Sequence, residues 1–166
     1  NDDLSRRDFT INALALCLNQ TQFGELTDLF SGVKDLTEKI IRTPLAPNCT
    51  FSDDPLRMLR AIRFASQLAF TLTPELYQAI SQEATRLSIV PKERIHTELN
   101  KILASNQPAH GINLLDQTGL LKLILPELEL LKGKDRINEH SHKDIFKHTL
   151  KVLTNVSHLS NSLWLR

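Results

Sequence analysis

Apolar residues recur at three- and four-residue intervals along most of the chain, the spacing of helices that bury one face. This pattern predicts a mainly α-helical fold that follows a small α/β unit. The apolar run at 11–16 fits either a helix or a strand, and residues 25–30 are predicted to form a strand. The predicted helices span residues 54–68, 73–87, 92–105, 108–118 and 144–159, with a short helix or hinge at 34–40 and a loop at 43–50.

Residues with strong end preferences mark the boundaries of several predicted helices. Thr73 followed by Pro74 predicts an N-cap and a first helical position, and Gly119 predicts a C-terminal stop. Pro55 is likewise expected at a first helical position, and it disfavours helical backbone in the residue before it. Asp54 is therefore the predicted N-cap of the helix at 54–68.

That helix carries three arginines on one side. At about 100° per residue, Arg57, Arg60 and Arg63 fall within an arc of about 120°. Guanidinium groups bind phosphate in a fork geometry, stack on bases and stay charged at any working pH. We therefore expect this face to be available for a nucleotide. The opposite, buried arc is predicted to contain Met58, Leu59, Ile62, Ala65 and Ala69.

Asp54 and Arg57 are three residues apart, close enough to act as a pair. Adenine and cytosine both present an amino donor beside a ring-nitrogen acceptor, a pattern that a carboxylate and a guanidinium can match. Guanine and uracil reverse this pattern and would leave groups unpaired, at a cost of roughly 1–3 kcal/mol each. The same residues also fit a capped helix with solvated arginines, and an Asp54 used as N-cap has less carboxylate left for a base.

Charged residues also precede the apolar run at 11–16. Arg6, Arg7 and Asp8 come directly before Phe9 and the buried element that follows. Charged groups beside a packed element are held in place, which suits contact with a ribose and a triphosphate. A surface salt bridge at the edge of an element explains the spacing equally well.

Composition is that of a globular protein without a dominant charge. The 166 residues are 41% hydrophobic, and 20 basic and 19 acidic residues leave a net charge of +1. Any nucleic-acid binding must therefore come from local patches. Cys17 and Cys49 match no zinc or redox spacing, so we expect reduced thiols. No signal peptide or membrane-spanning run is evident, which favours a cytoplasmic protein.

Several motifs, in order, resemble those of the class II tRNA nucleotidyltransferases, which comprise the CCA-adding enzymes and the related bacterial poly(A) polymerases. The similarity extends over essentially the whole chain. One position departs from the pattern, since Asp53 stands where the family usually has Glu. The matching segments are 6–13 (nucleotide-binding motif), 32–36 with 41–44 (hinge), 53–57 (base template), 91–103 (last neck motif), 119–121 and 125–128.

The resemblance implies a fold, a function and a set of site residues. Residues 1–45 would be the end of the nucleotidyltransferase head plus a hinge, 46–105 the helical neck, and 106–166 a helical body leading into a truncated HD domain. CTP or ATP would be read in the neck and added to the tRNA 3′ end, which enters between neck and head. The implied roles are ribose or phosphate contact for Arg7, Asp8 and Asn12, base reading for Asp54 and Arg57, and phosphate contact or support of Asp54 for Arg60 and Arg63.

The resemblance also implies Mg²⁺ in the full-length enzyme, held by an Asp-x-Asp pair in the head. No such pair or Gly-rich loop precedes Arg6, so the catalytic residues and metal ligands are expected outside this chain. We therefore expect a piece of a longer protein that does not catalyse alone.

Residues 140–149 resemble the opening of an HD domain, a helical phosphohydrolase module, with His148 as the candidate first metal ligand of the full-length protein. Three histidines within nine residues lack partners at convincing ligand spacing, so we predict no metal site in this chain. The polar stretch at 132–142 is predicted to be a flexible link.

Three alternatives remain open. A poly(A) polymerase shares the same base-reading residues and differs in its product. An HD-type phosphohydrolase would need a downstream His-Asp pair. A non-catalytic helical RNA-binding module would predict a contiguous basic patch, whereas the charges here are well mixed.

Overall fold

The computed structural model describes residues 2–133, 144–160 and 162–165. It confirms the mainly helical fold with a small amount of β-structure. The helices of these residues are α1 (Asp2–Ser5), α2 (Gly32–Glu38), α3 (Pro47–Asp53), α4 (Arg57–Leu68), α5 (Pro74–Glu83), α6 (Lys92–Leu103), α7 (Pro108–Gln117), α8 (Leu121–Ile124), α9 (Pro126–Glu129) and α10 (Ile145–Leu159), with 3₁₀ turns at Thr10–Asn12, Ala84–Ile89 and Leu163–Leu165. The strands are β1 (Leu14–Leu16), β2 (Leu26–Asp28), β3 (Ile40–Ile41) and β4 (Thr71–Leu72).

The apolar run at 11–16 divides between two structures. A 3₁₀ turn is followed by β1, which pairs antiparallel with β2 so that Leu14 lies opposite Asp28. The prediction that the whole run is buried is wrong at its end, because Leu16 is 60% exposed on the hairpin. The predicted strand at 25–30 is confirmed in its central residues.

The Asp28 carboxylate joins β2 to the start of α2. It accepts hydrogen bonds from the backbone N–H of Gly32 at 2.8 Å and of Val33 at 3.0 Å. The Val33 bond is the main reason that the pKa of Asp28 lies below its ordinary value. Gly32 has no room for a side chain, since a Cβ there would lie 2.2 Å from the Thr10 carbonyl oxygen. The predicted short helix is thus held directly against the Thr10–Asn12 turn.

The structure corrects the boundary between the predicted loop and the predicted arginine helix. Residues 47–53 form α3, with Pro47 at its first position, where the missing N–H costs nothing. The helix expected from Asp54 instead begins at Arg57. The N–H groups of Arg57 and Met58 bond three residues back, to Asp54 and Pro55, so the first turn is not yet α-helical.

Helix α4 lies at the centre of the core and packs against α6 and α7. Its residues Met58, Leu59, Ile62 and Ala65 are fully buried, as predicted. Ala69 is exposed instead, because it ends the helix in the left-handed conformation with φ of 57°. The close approach of α7 to α4 requires Gly111, where a Cβ would lie 2.3 Å from Ser66 Oγ and 2.4 Å from Ile102 Cγ2.

The remaining helix ends largely follow their sequence signals. Thr73 caps α5 by accepting a hydrogen bond from the Leu76 N–H at 3.3 Å, and Gly119 follows α7 with φ of +75°. The predicted helix at 73–87 becomes a 3₁₀ helix from Ala84 onward. Asp144 caps α10 by accepting hydrogen bonds from the N–H groups of Phe146 and Lys147. The predicted link at 132–142 lies mostly outside the described residues.

Helix α10 packs on α7 through its buried residues Phe146 and Leu153. Lys132 connects the neighbouring elements, because its ammonium group contacts the carboxylates of Asp116 and Glu129 and lies 5.5 Å from the centre of the Phe146 ring. Burial alone would lower the pKa of Lys132, but the hydrogen bonds and the negative charges of both carboxylates together raise it. Among the described residues, no helix has the length and apolar character needed to cross a membrane.

Candidate functional site

A cavity of about 540 Å³ opens where the segment before β1 meets the start of α4 and the start of α6. Four guanidinium groups and two carboxylates face it. This excess of positive charge favours an anionic ligand such as a polyphosphate. The lining residues are Arg7, Asp8, Asn12, Asp54, Leu56, Arg57, Arg60 and Arg94.

Asp8 organises one wall of the cavity. Its Oδ1 accepts hydrogen bonds from the Phe9 N–H at 2.9 Å and from Asn12 Nδ2 at 3.0 Å. Its Oδ2 accepts two bonds from Arg60, from Nε at 2.8 Å and from Nη2 at 2.5 Å. Asp8 is only 7% exposed, so it acts as a buried anchor for Asn12 and Arg60.

Arg7 is more open than the anchored residues of this wall. Its side chain is 50% exposed and contacts Asp3, with Nη2 and Oδ2 3.2 Å apart. Exposed ion pairs of this kind contribute little to stability, so the guanidinium can exchange this partner at low cost. Arg7 is thus placed to reach an incoming anion.

Backbone carbonyl groups hold Arg57. Its Nη2 donates to the Arg6 carbonyl oxygen at 2.7 Å, and its Nη1 donates to the Thr50 carbonyl oxygen at 3.3 Å. Nη1 also lies 3.7 Å from Asp53 Oδ2. A guanidinium carries five N–H groups in a fixed plane, so these contacts orient Arg57 and leave other donors for a ligand.

Asp54 lies in the turn between α3 and α4, with both oxygens engaged. Oδ1 accepts from the Leu56 N–H at 3.1 Å, a local contact within this turn, and Oδ2 accepts from Arg94 Nη2 at 2.7 Å. The prediction that Asp54 is the N-cap of the arginine helix is wrong, because Leu56 holds that position and α4 has no side-chain cap. Each carboxylate oxygen has a second lone pair, so Asp54 can still accept a hydrogen bond from a ligand. The contact with the Leu56 N–H therefore does not exclude base reading.

Arg94 is the cavity residue to which the sequence assigned no role. It belongs to the segment 91–103, which resembles the last neck motif, and it lies 40 residues from its partner Asp54. A contact between residues so far apart produces no local sequence pattern. The two side chains meet because α6 packs near the turn between α3 and α4. The resemblance of residues 91–103 to a family motif is the sequence feature that could have indicated a role for Arg94.

Arg63 is not among the residues that line the cavity, in contrast to Arg57 and Arg60, and its expected nucleotide contact stays a prediction. Its side chain is buried between α4 and α6, where Nη1 lies 3.0 Å from Glu98 Oε2. Its guanidinium carbon lies 4.3 Å from the centre of the Phe64 ring. Phe64 in turn meets Phe9 edge to face at 5.6 Å. Arg63 supports the cavity wall from behind, while Arg57 and Arg60 face the cavity as expected.

The cavity residues do not fit a Mg²⁺ site. Asp8 and Asp54 both have guanidinium partners, and a cation would have to displace these. Within residues 2–133, 144–160 and 162–165, no group of three or more His, Cys, Asp or Glu side chains could hold a metal ion. His148 is exposed on the first turns of α10, whereas His140 and His142 lie outside the described residues.

Family models match two parts of the chain. Residues 1–42 match the poly A polymerase head domain, and residues 69–131 match the model described as a probable RNA and SrmB-binding site of polymerase A. The chain is 46% identical over 119 residues to the CCA-adding enzyme of Bacillus subtilis, covering 72% of this chain and 29% of the relative. It is 40% identical over 157 residues to the A-adding tRNA nucleotidyltransferase of Deinococcus radiodurans, covering 92% and 35%.

Solved structures agree with these matches. The crystal structure of the Bacillus stearothermophilus CCA-adding enzyme in complex with CTP superimposes with a TM-score of 0.68 and 41% identity, over 72% of this chain and 29% of that one. The chain thus spans about a third of the length of its curated relatives. It belongs to the family of tRNA nucleotidyltransferases and poly(A) polymerases.

Proposed function

We propose that this chain is the nucleotide-reading part of an enzyme that adds C, A or both to the 3′ end of tRNA from CTP and ATP. The observation that carries the proposal is the placement of Asp54 and Arg57 in one cavity with Arg7 and Arg60. In this arrangement Asp54 and Arg57 can pair with the edge of a base, while Arg7 and Arg60 lie beside them and can bind a triphosphate. The CTP complex of the related Bacillus stearothermophilus enzyme supports this choice of ligand.

Each cavity residue has a distinct chemical task in this proposal. Asp54 accepts a hydrogen bond from the amino group of cytosine or adenine, and Arg57 donates to the adjacent ring nitrogen. Uracil and guanine present a carbonyl to Asp54 and an N–H to Arg57, so both contacts fail. Arg7 and Arg60 contact the phosphates, while Asp8 and Asn12 face the ribose.

Chemistry at the α-phosphate belongs to parts of the whole protein beyond these residues. Two-metal nucleotidyl transfer uses Mg²⁺ to activate the attacking hydroxyl and to neutralise the leaving pyrophosphate. The chain contributes selection and orientation of the nucleotide. The division into head and hinge at 1–45, neck at 46–105 and body at 106–166, and a cytoplasmic location, form part of the same proposal.

Calorimetric titration of the chain with CTP, ATP, GTP and UTP tests the proposal directly. We expect weak binding of CTP and ATP alone, lost in Asp54→Ala and Arg57→Ala. Arg86→Ala is a matched control, because Arg86 also forms an ion pair and reaches α3, yet does not line the cavity. Equal binding of all four nucleotides, or retention of selectivity in Asp54→Ala, would refute base reading.

A poly(A) polymerase activity is the second candidate, favoured by the family model that matches residues 1–42. The base-reading residues serve both reactions, so binding data do not separate them. The two activities are separated by sequencing the products that the whole protein forms on a tRNA that lacks its 3′ terminus. Addition that stops after CCA, or after the last A, supports the tRNA enzyme, whereas a continuing A tract supports the polymerase.

A further inference from the structure

Arg94 lines the same cavity as Asp54 and Arg57. It lies in the first turn of α6, on a different element from the residues of the base template. Its Nη2 lies 2.7 Å from Asp54 Oδ2, shorter than the 3.1 Å bond that the Leu56 N–H makes to Oδ1. The Asp54 carboxylate is thus held at both oxygens.

A carboxylate attached through a single torsion is loosely oriented unless its oxygens are bound, since that torsion is broad. In this structure the Leu56 N–H and Arg94 together define the carboxylate plane. One lone pair on each oxygen is then left over, and the Asp54 side chain borders the cavity. Arg94 also makes this contact charge-assisted, which shortens and strengthens it.

We propose that Arg94 is a specificity-determining positioning residue, which selects cytosine and adenine by fixing the orientation of the Asp54 carboxylate. This inference rests on the proposed function and deepens it. The amino group of cytosine or adenine then faces an aligned acceptor oxygen. The carbonyl group of uracil or guanine faces the same oxygen and is repelled, because the carboxylate is not free to rotate. Arg94 therefore acts through Asp54 and needs no contact with the base.

Two other roles for Arg94 lead to different results. As a phosphate contact, it would strengthen binding of all four nucleoside triphosphates equally, because they share the triphosphate. As a purely structural residue, it would act through folding stability and likewise affect all four alike. Only a role through Asp54 changes the ratio between bases.

Equilibrium titration of the whole protein with CTP, ATP, UTP and GTP separates these roles. For Arg94→Ala we expect the preference for CTP over UTP, and for ATP over GTP, to fall at least about tenfold, the loss of one charge-assisted hydrogen bond. Arg94→Lys keeps a cation near Oδ2 and should restore part of the preference. Arg86→Ala should keep the wild-type preference.

A double variant tests the route of the effect. Once Asp54→Ala has removed the carboxylate, adding Arg94→Ala should change the preference no further, because coupled residues are non-additive. Equal weakening of all four nucleotides by Arg94→Ala, or full additivity with Asp54→Ala, would overturn the inference. If Arg94→Ala does not fold, Arg94→Lys and Arg94→Gln test the inference instead. We expect the preference for CTP and ATP to decrease from wild type to Arg94→Lys to Arg94→Gln. Equal preferences in all three proteins would overturn the inference.

Failure of the inference is distinguishable from failure of the proposed function. A wild-type protein without preference for CTP and ATP contradicts the proposed function. A wild-type preference that Arg94→Ala leaves intact contradicts the inference alone.

Discussion

Arg63 and Glu98 form an ion pair inside the interface between α4 and α6, with Nη1 and Oε2 3.0 Å apart and side chains only 9% and 5% exposed. Burial lowers the pKa of Arg63, and the Glu98 charge opposes that shift. Glu98 lies one helical turn after Arg94, so the same helix carries a buried anchor and a cavity residue. The pair therefore helps to set where α6 presents Arg94.

Removal of one partner of this pair should be strongly destabilising. Glu98→Gln leaves the Arg63 charge buried without its counter-ion, and we expect a loss of about 3–5 kcal/mol in the free energy of unfolding. Urea denaturation measures it, with Glu93→Gln, an exposed residue of α6, as the control. The double variant Arg63→Met with Glu98→Leu should be more stable than Glu98→Gln, and the reverse order would contradict this account.

Gly111→Ala should destabilise the packing of α7 on α4. The new Cβ would lie 2.3 Å from Ser66 Oγ and 2.4 Å from Ile102 Cγ2. Overpacking of a core costs about 1–3 kcal/mol, which exceeds the gain of roughly 1 kcal/mol from replacing a helical glycine. A lowered melting temperature is expected. Ser66→Ala in the same background removes one clash and should recover part of the loss, whereas a stabilised Gly111→Ala would show that the helices can separate freely.

Arg60→Lys should weaken nucleotide binding without altering base preference. Arg60 binds Asp8 through Nε and Nη2 together, a geometry that an ammonium group cannot reproduce. We expect the affinity for CTP and ATP to fall by about tenfold, the value of one hydrogen bond to a charged group. Titration calorimetry measures it beside Arg86→Lys. A changed ratio of CTP to UTP affinity would place Arg60 with the base-reading residues.

Acid should remove a contribution that Asp28 makes to stability. Its pKa is lowered in the folded chain, chiefly by the hydrogen bond from the Val33 N–H, so the folded state favours the ionised form. This contribution is present above the unfolded pKa of about 3.9 and disappears as the pH falls through the lower, folded value. The stability difference between wild type and Asp28→Asn should thus be constant above about pH 5 and shrink below about pH 4.

Urea unfolding at several pH values from 7 to 3 measures this difference, with Glu25→Gln as the control. Glu25 is an exposed carboxylate near the same hairpin. A difference between wild type and Asp28→Asn that does not vary with pH would mean that the Asp28 charge plays no part.

Local chemistry explains which features the sequence predicted. Thr73 and Gly119 act within a few residues of their own position, so the helix ends they mark were confirmed. The loop predicted at 43–50 does not extend beyond Ala46, because proline is also favoured at the first position of a helix, where Pro47 begins α3. Helical spacing predicted that Ala69 is buried, but this residue follows the end of α4 and is exposed.

Contacts between distant residues explain the rest. Helical spacing placed Arg63 with Arg57 and Arg60, but it could not reveal that Glu98, 35 residues later, covers Arg63. The partnership of Arg94 with Asp54 required the fold for the same reason. Arg7, Asp8, Asn12, Asp54, Arg57 and Arg60 could be grouped from the sequence because they lie in or beside two short segments that the family resemblance assigns to one site.

The two carbonyl contacts of Arg57 link nucleotide binding to the arrangement of the chain. One carbonyl belongs to Arg6, 51 residues earlier, and the other to Thr50 in α3. Any displacement of the N-terminal segment relative to α4 changes the direction of this guanidinium. By reciprocity, a nucleotide that prefers one direction stabilises the matching arrangement by the same free energy. Occupancy of the cavity and the position of residues 2–13 relative to α4 are therefore thermodynamically coupled.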